Sequence, residues 1–244
     1  NKGIEFPQVS NTKTYCFYQP YLDKLSISQT HDMFSMYSKK SSLNGNLLLQ
    51  PIGLTGNGIM KLDLAEVSSN FFSFNSTWFK ADTANLNVFD NNNSIAFNAQ
   101  NLRANIDLSD REGVFYSNGS GSYVTFPASE YISYIDKLKW EMDKEQLTFG
   151  EKELNNSKGS KFISINSDQD SLSFISSSAD YSLKDFIINA HGVDSLNIAD
   201  AVIFPDSGEL IVERGARIRT LNNSSLLLDP LIRYHSFNNA TIDI

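Results

Sequence analysis

The chain has 244 residues, 41% of them hydrophobic and 20% charged, with a formal net charge of −8 and one cysteine. That is enough apolar material for one large or two small cores, and Cys16 alone excludes a disulfide scaffold. The acidic balance argues against nucleic acid or an anionic membrane surface as the main partner, because phosphate neutralisation needs clustered Lys and Arg; no apolar run approaches the roughly 18–20 residues of a membrane-spanning helix.

In chain order, period-2 alternation dominates and helical periodicity is nearly absent. Asn1 to Ile4 carries no initiator Met and no signal-like apolar stretch, so the start reads as a cut edge of something longer. Short strands are predicted at Leu47–Leu49, Ile59–Leu64, Phe71–Phe74, Leu86–Phe89, Ile95–Phe97, Leu102–Leu108 and Val114–Tyr116. Turn clusters such as Asp90–Asn93, Ser109–Gly113 and Asn118–Gly121 lie between them. The Gly-rich run Gly53–Gly58 lacks the order and the Lys-Ser/Thr ending of a phosphate loop, and reads as a tight turn.

Phe79–Val88 is echoed by Phe97–Ile106: each has Phe-x-Ala followed by alternating apolar residues. A spacing near 20 residues with polar corners is what stacked β-coils require. Tyr131–Met142 and Tyr181–Phe186 are the only helical candidates. Composition shifts over Lys144–Gly159, with a loop at Asn155–Gly159, and divides a β-rich subdomain (1–150) from a solenoid-like one (151–244). Strands resume at Phe162–Ile165, Leu172–Ile175, Phe186–Ile188, Leu196–Ile198, Ala201–Phe204 and Leu210–Val212. The final Ala240–Ile244 reads as a strand with no polar tail, a second cut edge able to contact another chain.

The expected fold is therefore all-β: a right-handed β-solenoid or β-helix with parallel pairing in the C-terminal half, or two stacked β subdomains. Chemistry-bearing residues are sparse. His31, His191 and His235 are scattered, so no metal centre and no cofactor is predicted. Asn166–Asp170 lacks the Gly and the closing Glu of a calcium loop. The densest polar group runs from His191 to Arg219. Stacked on one face it would supply His191, Glu213 and Arg217 as catalytic candidates for acid/base work on a polysaccharide. The competing reading is a solvated face with cross-strand ion pairs. Trp78 and Trp140 are the candidate glycan-stacking residues.

Asn44–Gly58 followed by Ala65–Ser69 resembles repeated segments of very long envelope proteins of Bacteroidetes-type Gram-negative bacteria. Ala201–Leu221 resembles a parallel β-helix rung in the same kind of protein. The resemblance implies export to the periplasm, cell surface or medium, and a non-enzymatic structural or binding role toward a protein or glycan partner. The chain is also similar to AsmA/TamB-like proteins, whose curved β-groove carries lipid. Its Phe- and Leu-rich interior departs from an open groove. Neither resemblance carries catalytic residues over.

Overall fold

Buried and solvent-facing side chains alternate along most of the chain in a computed structural model that describes residues 5–119, 121–150, 159–229 and 235–244. These residues form 23 β-strands and four three-residue 3-10 turns, with no α-helix. Every defined register is antiparallel. The all-β expectation holds, whereas parallel pairing in the C-terminal half does not. The reason is the length of the connections: a parallel crossover takes a dozen or more residues, and most strands here are joined by one to four. Neither helical candidate is a helix: Tyr131–Met142 is two strands ending on a 3-10 turn, and Tyr181–Phe186 is the end of one strand with the turn that follows it. Across 131–141 the buried side chains are Tyr131, Ser133, Ile135, Leu138 and Trp140, close to a period of two.

Two compact units are present, residues 1–95 with 99–121 and residues 96–98 with 122–244. The composition shift at 144–159 lies inside the second unit, and its loop at 155–158 falls outside the described residues. The first unit contains β1 (Val9–Ser10), β2 (Thr14–Gln19), β3 (Lys24–Gln29), β4 (Phe34–Met36), β5 (Ser41–Gln50) and β6 (Gly53–Lys61). It continues with β7 (Ala65–Phe74), β8 (Trp78–Phe89), most of β9 (Ile95–Asp107) and β10 (Glu112–Ser117). Strands β3, β5, β6, β7 and β8 pair in that order. Tyr37, Phe72, Phe74 and Phe79 fill the core, with Phe72 edge-on to Phe79 at 5.7 Å. The Tyr37 hydroxyl donates to Trp78 O at 2.9 Å, and burial pushes that phenol far above the usual tyrosine range.

The echo of Phe79 in Phe97 is real, but it is not a coil. Ala81, Ala84 and Leu86 are buried in β8, and Ala99, Leu102 and Ala104 are buried in β9. The same three-residue step interrupts the alternation of both strands. In β7 a bulge takes three residue steps from Ser69 to Phe72 while β6 takes two from Gly58 to Gly56.

The Gly-rich run is likewise strand rather than turn. Gly45 and Gly58 sit opposite each other in β5 and β6, and a Cβ on Gly58 would lie 2.1 Å from Asn44 O at a φ of +123°. Gly58→Ala is expected to cost about 2–6 kcal/mol, combining left-handed strain with overpacking. Chemical denaturation of wild type and variant measures it; a loss below about 1 kcal/mol would show that the two backbones do not approach so closely.

The second unit contains β11 (Tyr123–Phe126), β12 (Tyr131–Tyr134), β13 (Lys137–Glu141), β14 (Gln146–Gly150), β15 (Ser160–Ser164), β16 (Ser173–Ser176) and β17 (Ser178–Ser182). It then adds β18 (Ile187–His191), β19 (Leu196–Ile198), β20 (Ala201–Phe204), β21 (Glu209–Val212), β22 (Leu221–Leu228) and β23 (His235–Ile242). Successive hairpins go alternately to two ladders. One runs β11-β12-β15-β16-β19-β20-β22-β23; the other runs β13-β14-β17-β18-β21. The hairpins β11–β12, β13–β14 and β17–β18 share a four-residue connection whose fourth residue is left-handed: Glu130 (φ 54°), Glu145 (φ 50°) and Phe186 (φ 60°).

Inward side chains of the two ladders meet in an aromatic cluster. Phe126 on the first lies 5.5 Å from Phe149 and 4.9 Å from Tyr181 on the second. The buried tyrosine hydroxyls here are satisfied, whereas the Ser133 hydroxyl on β12 has no hydrogen-bond partner among the described residues. The Tyr131 hydroxyl donates to Gln169 Oε1 (3.2 Å), Gln169 Nε2 donates to Ala216 O (2.7 Å), and the Tyr181 hydroxyl donates to Ala96 O (3.0 Å). Burial holds both phenols well above the ordinary tyrosine pKa.

Candidate functional site

Within the charged segment 191–219, His191 and Glu209 lie on the outward face of the second ladder, and Glu213, Arg217 and Arg219 lie in the connection that follows it. Ser178, His191 and Glu209 stand side by side on β17, β18 and β21. His191 Nε2 is 3.7 Å from Asp180 Oδ2, and Nδ1 is 3.7 Å from Glu209 Oε1. Thr148 Oγ1 donates to Asp180 Oδ1 at 2.9 Å and fixes that carboxylate. The two carboxylates thus face opposite nitrogens of one ring. Glycoside chemistry needs two carboxyl groups converging on one bond, and this arrangement sets the ring between them.

Glu213 and Arg217 belong to a different cluster. The Glu213 amide donates to Arg217 O at 2.8 Å. Arg219 Nε and Nη2 donate to Glu213 Oε1 at 3.2 and 2.9 Å, and Arg217 Nε lies 4.0 Å from Oε2. The candidates His191, Glu213 and Arg217 are therefore split between a cross-strand row and a turn. A depression of about 320 Å³ nearby is lined by Asp206, Glu209, Arg219 and Asn222 among others, but by none of those three. Glu209, Arg217 and Arg219 are exposed and Glu213 is half-buried. Arg217→Ala and Glu209→Ala are each expected to change stability by no more than about 0.5 kcal/mol. Urea titration checks this, and a loss above about 2 kcal/mol in either would mark a structural ion pair.

Neither tryptophan presents an open face. Trp140 is 4% exposed, packed inward in β13 opposite Leu147. Trp78 is half-buried, and Lys80 Nζ sits 4.5 Å above its ring. Solvent-facing rings occur elsewhere, on β2 (Tyr15, Phe17 and Tyr18), at Phe71 in β7 and at Phe237 in β23. The Asn166–Asp170 run forms the β15–β16 turn, where Asn166 Oδ1 caps the Asp168 amide at 2.8 Å and Gln169 points inward.

One surface was not visible in the sequence. The inward row of the first ladder runs Val124, Ser133, Phe162, Phe174, Leu196, Ile203, Leu226 and Phe237. Phe162 is 0% exposed and Ile203 3%, but Phe237 is 50% exposed. Cover fades because, among the described residues, the second ladder stops at β21, which is followed by the short bridge Val212–Ile218. Among the described residues β23 has a defined register with β22 alone. No described strand has a register on the other side of β23, and the apolar row beside it is uncovered at Phe237. No family model, curated protein or solved structure matches the chain.

Proposed function

We propose that the chain is a non-enzymatic structural and binding segment of a large exported bacterial protein, and that β23 is its attachment edge. The occupant of that edge is a further antiparallel hairpin with apolar inward side chains. The observation that carries this reading is the fading row from Ile203 to Phe237, because the unit buries its core by laying each hairpin against the opposite ladder. The charged segment supports the same reading: Glu213 is engaged by two arginines, and His191 separates its two carboxylates. Export and bacterial origin rest on the resemblance of Asn44–Ser69 and Ala201–Leu221 to envelope proteins.

An exposed apolar edge pairs with itself when no other partner is present. Sedimentation velocity is expected to show concentration-dependent association that Phe237→Lys abolishes. Because Phe237 is half exposed, the same variant should keep its stability within about 1 kcal/mol. A strictly monomeric wild type whose β23 amides are as protected from hydrogen exchange as those of β16 would overturn the edge reading. Cleavage of a polysaccharide that disappears in His191→Ala or Arg217→Ala would overturn the non-enzymatic part.

A further inference from the structure

The bulge in β7 opens a second feature on the outward face of the first unit, independent of β23. Where β6, β7 and β8 run side by side, a depression of about 510 Å³ is lined by Asn57, Gly58, Ile59, Ser68, Ser69, Asn70, Thr83, Ala84 and Asn85. That volume lies in the range of small-ligand sites. Every polar side chain in the lining is uncharged.

The hydrogen bonding around the depression is asymmetric. Asn57 Oδ1 accepts from Asn46 Nδ2 at 3.3 Å, and Asn85 Oδ1 accepts from the Asn101 amide at 3.0 Å. Each carbonyl is anchored to protein, and neither Nδ2 has a hydrogen-bond partner among the described residues, so each is available as a donor. The Ser69 hydroxyl is consumed in holding the bulge: it donates to Thr83 O at 2.6 Å and accepts from the Phe71 amide at 3.1 Å. The Ser68 and Thr83 hydroxyls and the Asn70 amide have no protein partner among the described residues. Ile59 and Ala84 are the apolar side chains among the lining residues. Phe71, 54% exposed, follows Asn70 directly in the chain.

From this geometry we infer a binding site for a neutral oligosaccharide. Fixed amide donors with adjacent hydroxyls match the vicinal hydroxyls of a pyranose, and Ile59 suits its C–H face. Uncharged lining on a chain of net charge −8 favours neutral over acidic glycans, which the protein's field repels. The site extends the proposed role from attachment to glycan binding, and it stands or falls separately from the β23 edge.

The test is saturation-transfer NMR and calorimetric titration of the intact protein with cello-, malto-, xylo- and manno-hexaose, against oligogalacturonate as the acidic comparison. At least one neutral hexaose is expected to bind, and the oligogalacturonate more weakly. Asn85→Asp keeps the acceptor for the Asn101 amide but removes the Nδ2 donor; Thr83→Val removes only the hydroxyl. Each should weaken binding about 3- to 10-fold, with wild-type near-UV circular dichroism showing that the fold is intact. Absence of binding to all four neutral hexaoses overturns the assignment. So does tighter binding of the oligogalacturonate, or unchanged affinity in both folded variants.

Discussion

Replacing Phe126 with alanine is expected to remove about 3–5 kcal/mol from the second unit, the range for truncating a fully buried aromatic side chain. Phe126 is 0% exposed and touches four rings: Phe97 at 5.5 Å, Phe149 at 5.5 Å, Phe162 at 5.9 Å and Tyr181 at 4.9 Å. Two of these, Phe149 and Tyr181, belong to the ladder opposite its own, so the ring joins the layers. The cavity cannot collapse easily, because its walls are strands fixed by hydrogen bonds on both sides. Trp140 is buried in this unit while Trp78 lies in the other. Guanidinium titration followed by fluorescence in a Trp78→Phe background therefore reads the second unit alone. Phe71→Ala, at a half-exposed ring, is the internal comparison and should lose no more than about 1 kcal/mol. Similar losses for Phe126→Ala and Phe71→Ala would mean that the ladders are not held together through this cluster.

Alkaline pH is expected to unfold the second unit well before its hydrogen-bonded backbone would otherwise fail. Burial raises the pKa of both Tyr131 and Tyr181. Above about pH 10 the unfolded chain loses these phenolic protons while the folded unit keeps them. The unfolded state then binds fewer protons, so stability falls as pH rises. It is full below about pH 10 and declines above it by about 1.4 kcal/mol per pH unit for each tyrosine, or roughly 3 kcal/mol per unit for the pair. Tyr37 acts in the same direction on the first unit. Guanidinium titrations between about pH 8 and 12 measure the slope. Tyr181→Phe should halve it, and at neutral pH should lose only about 1 kcal/mol for the bond to Ala96 O. A stability that stays flat through pH 11 would show that water reaches both phenols in the folded state.

Much of the local structure was legible from the residues. Leu86-Asn87-Val88 and Leu102-Arg103-Ala104-Asn105-Ile106 read as strands because alternating apolar side chains have one stable solution, a sheet with a buried face. Other strands escaped notice. Thr14–Gln19 is exposed along most of its length, so its sequence has no alternation to read. The recurring hairpin connection was missed for a different reason: its fourth position is occupied by Glu130, Glu145 and Phe186, none of which is a residue that by itself announces left-handed backbone. The shared signal was the four-residue spacing between apolar alternations, not composition.

The candidate sites divide in the same way. Residue types named His191, Glu213 and Arg217, and the types were reasonable for acid/base work. Their partners came from register, which set Asp180 and Glu209 on either side of His191 and gave Glu213 to two arginines. Trp140 looked like a surface stacking residue and is core, because β13 turns that position inward.

By itself the sequence determined the all-β class, the position of most strands and the excess of negative charge. Each of these depends on side-chain chemistry or on neighbours a few residues apart. Only the tertiary structure decided that the strands pair antiparallel, that the hairpins alternate between two ladders, that β7 bulges at Asn70–Phe71 and that Phe237 lies uncovered. A period of two is the same in parallel and antiparallel sheets. Strand direction and cover are set instead by which distant strand supplies the next hydrogen bonds and the opposing side chains.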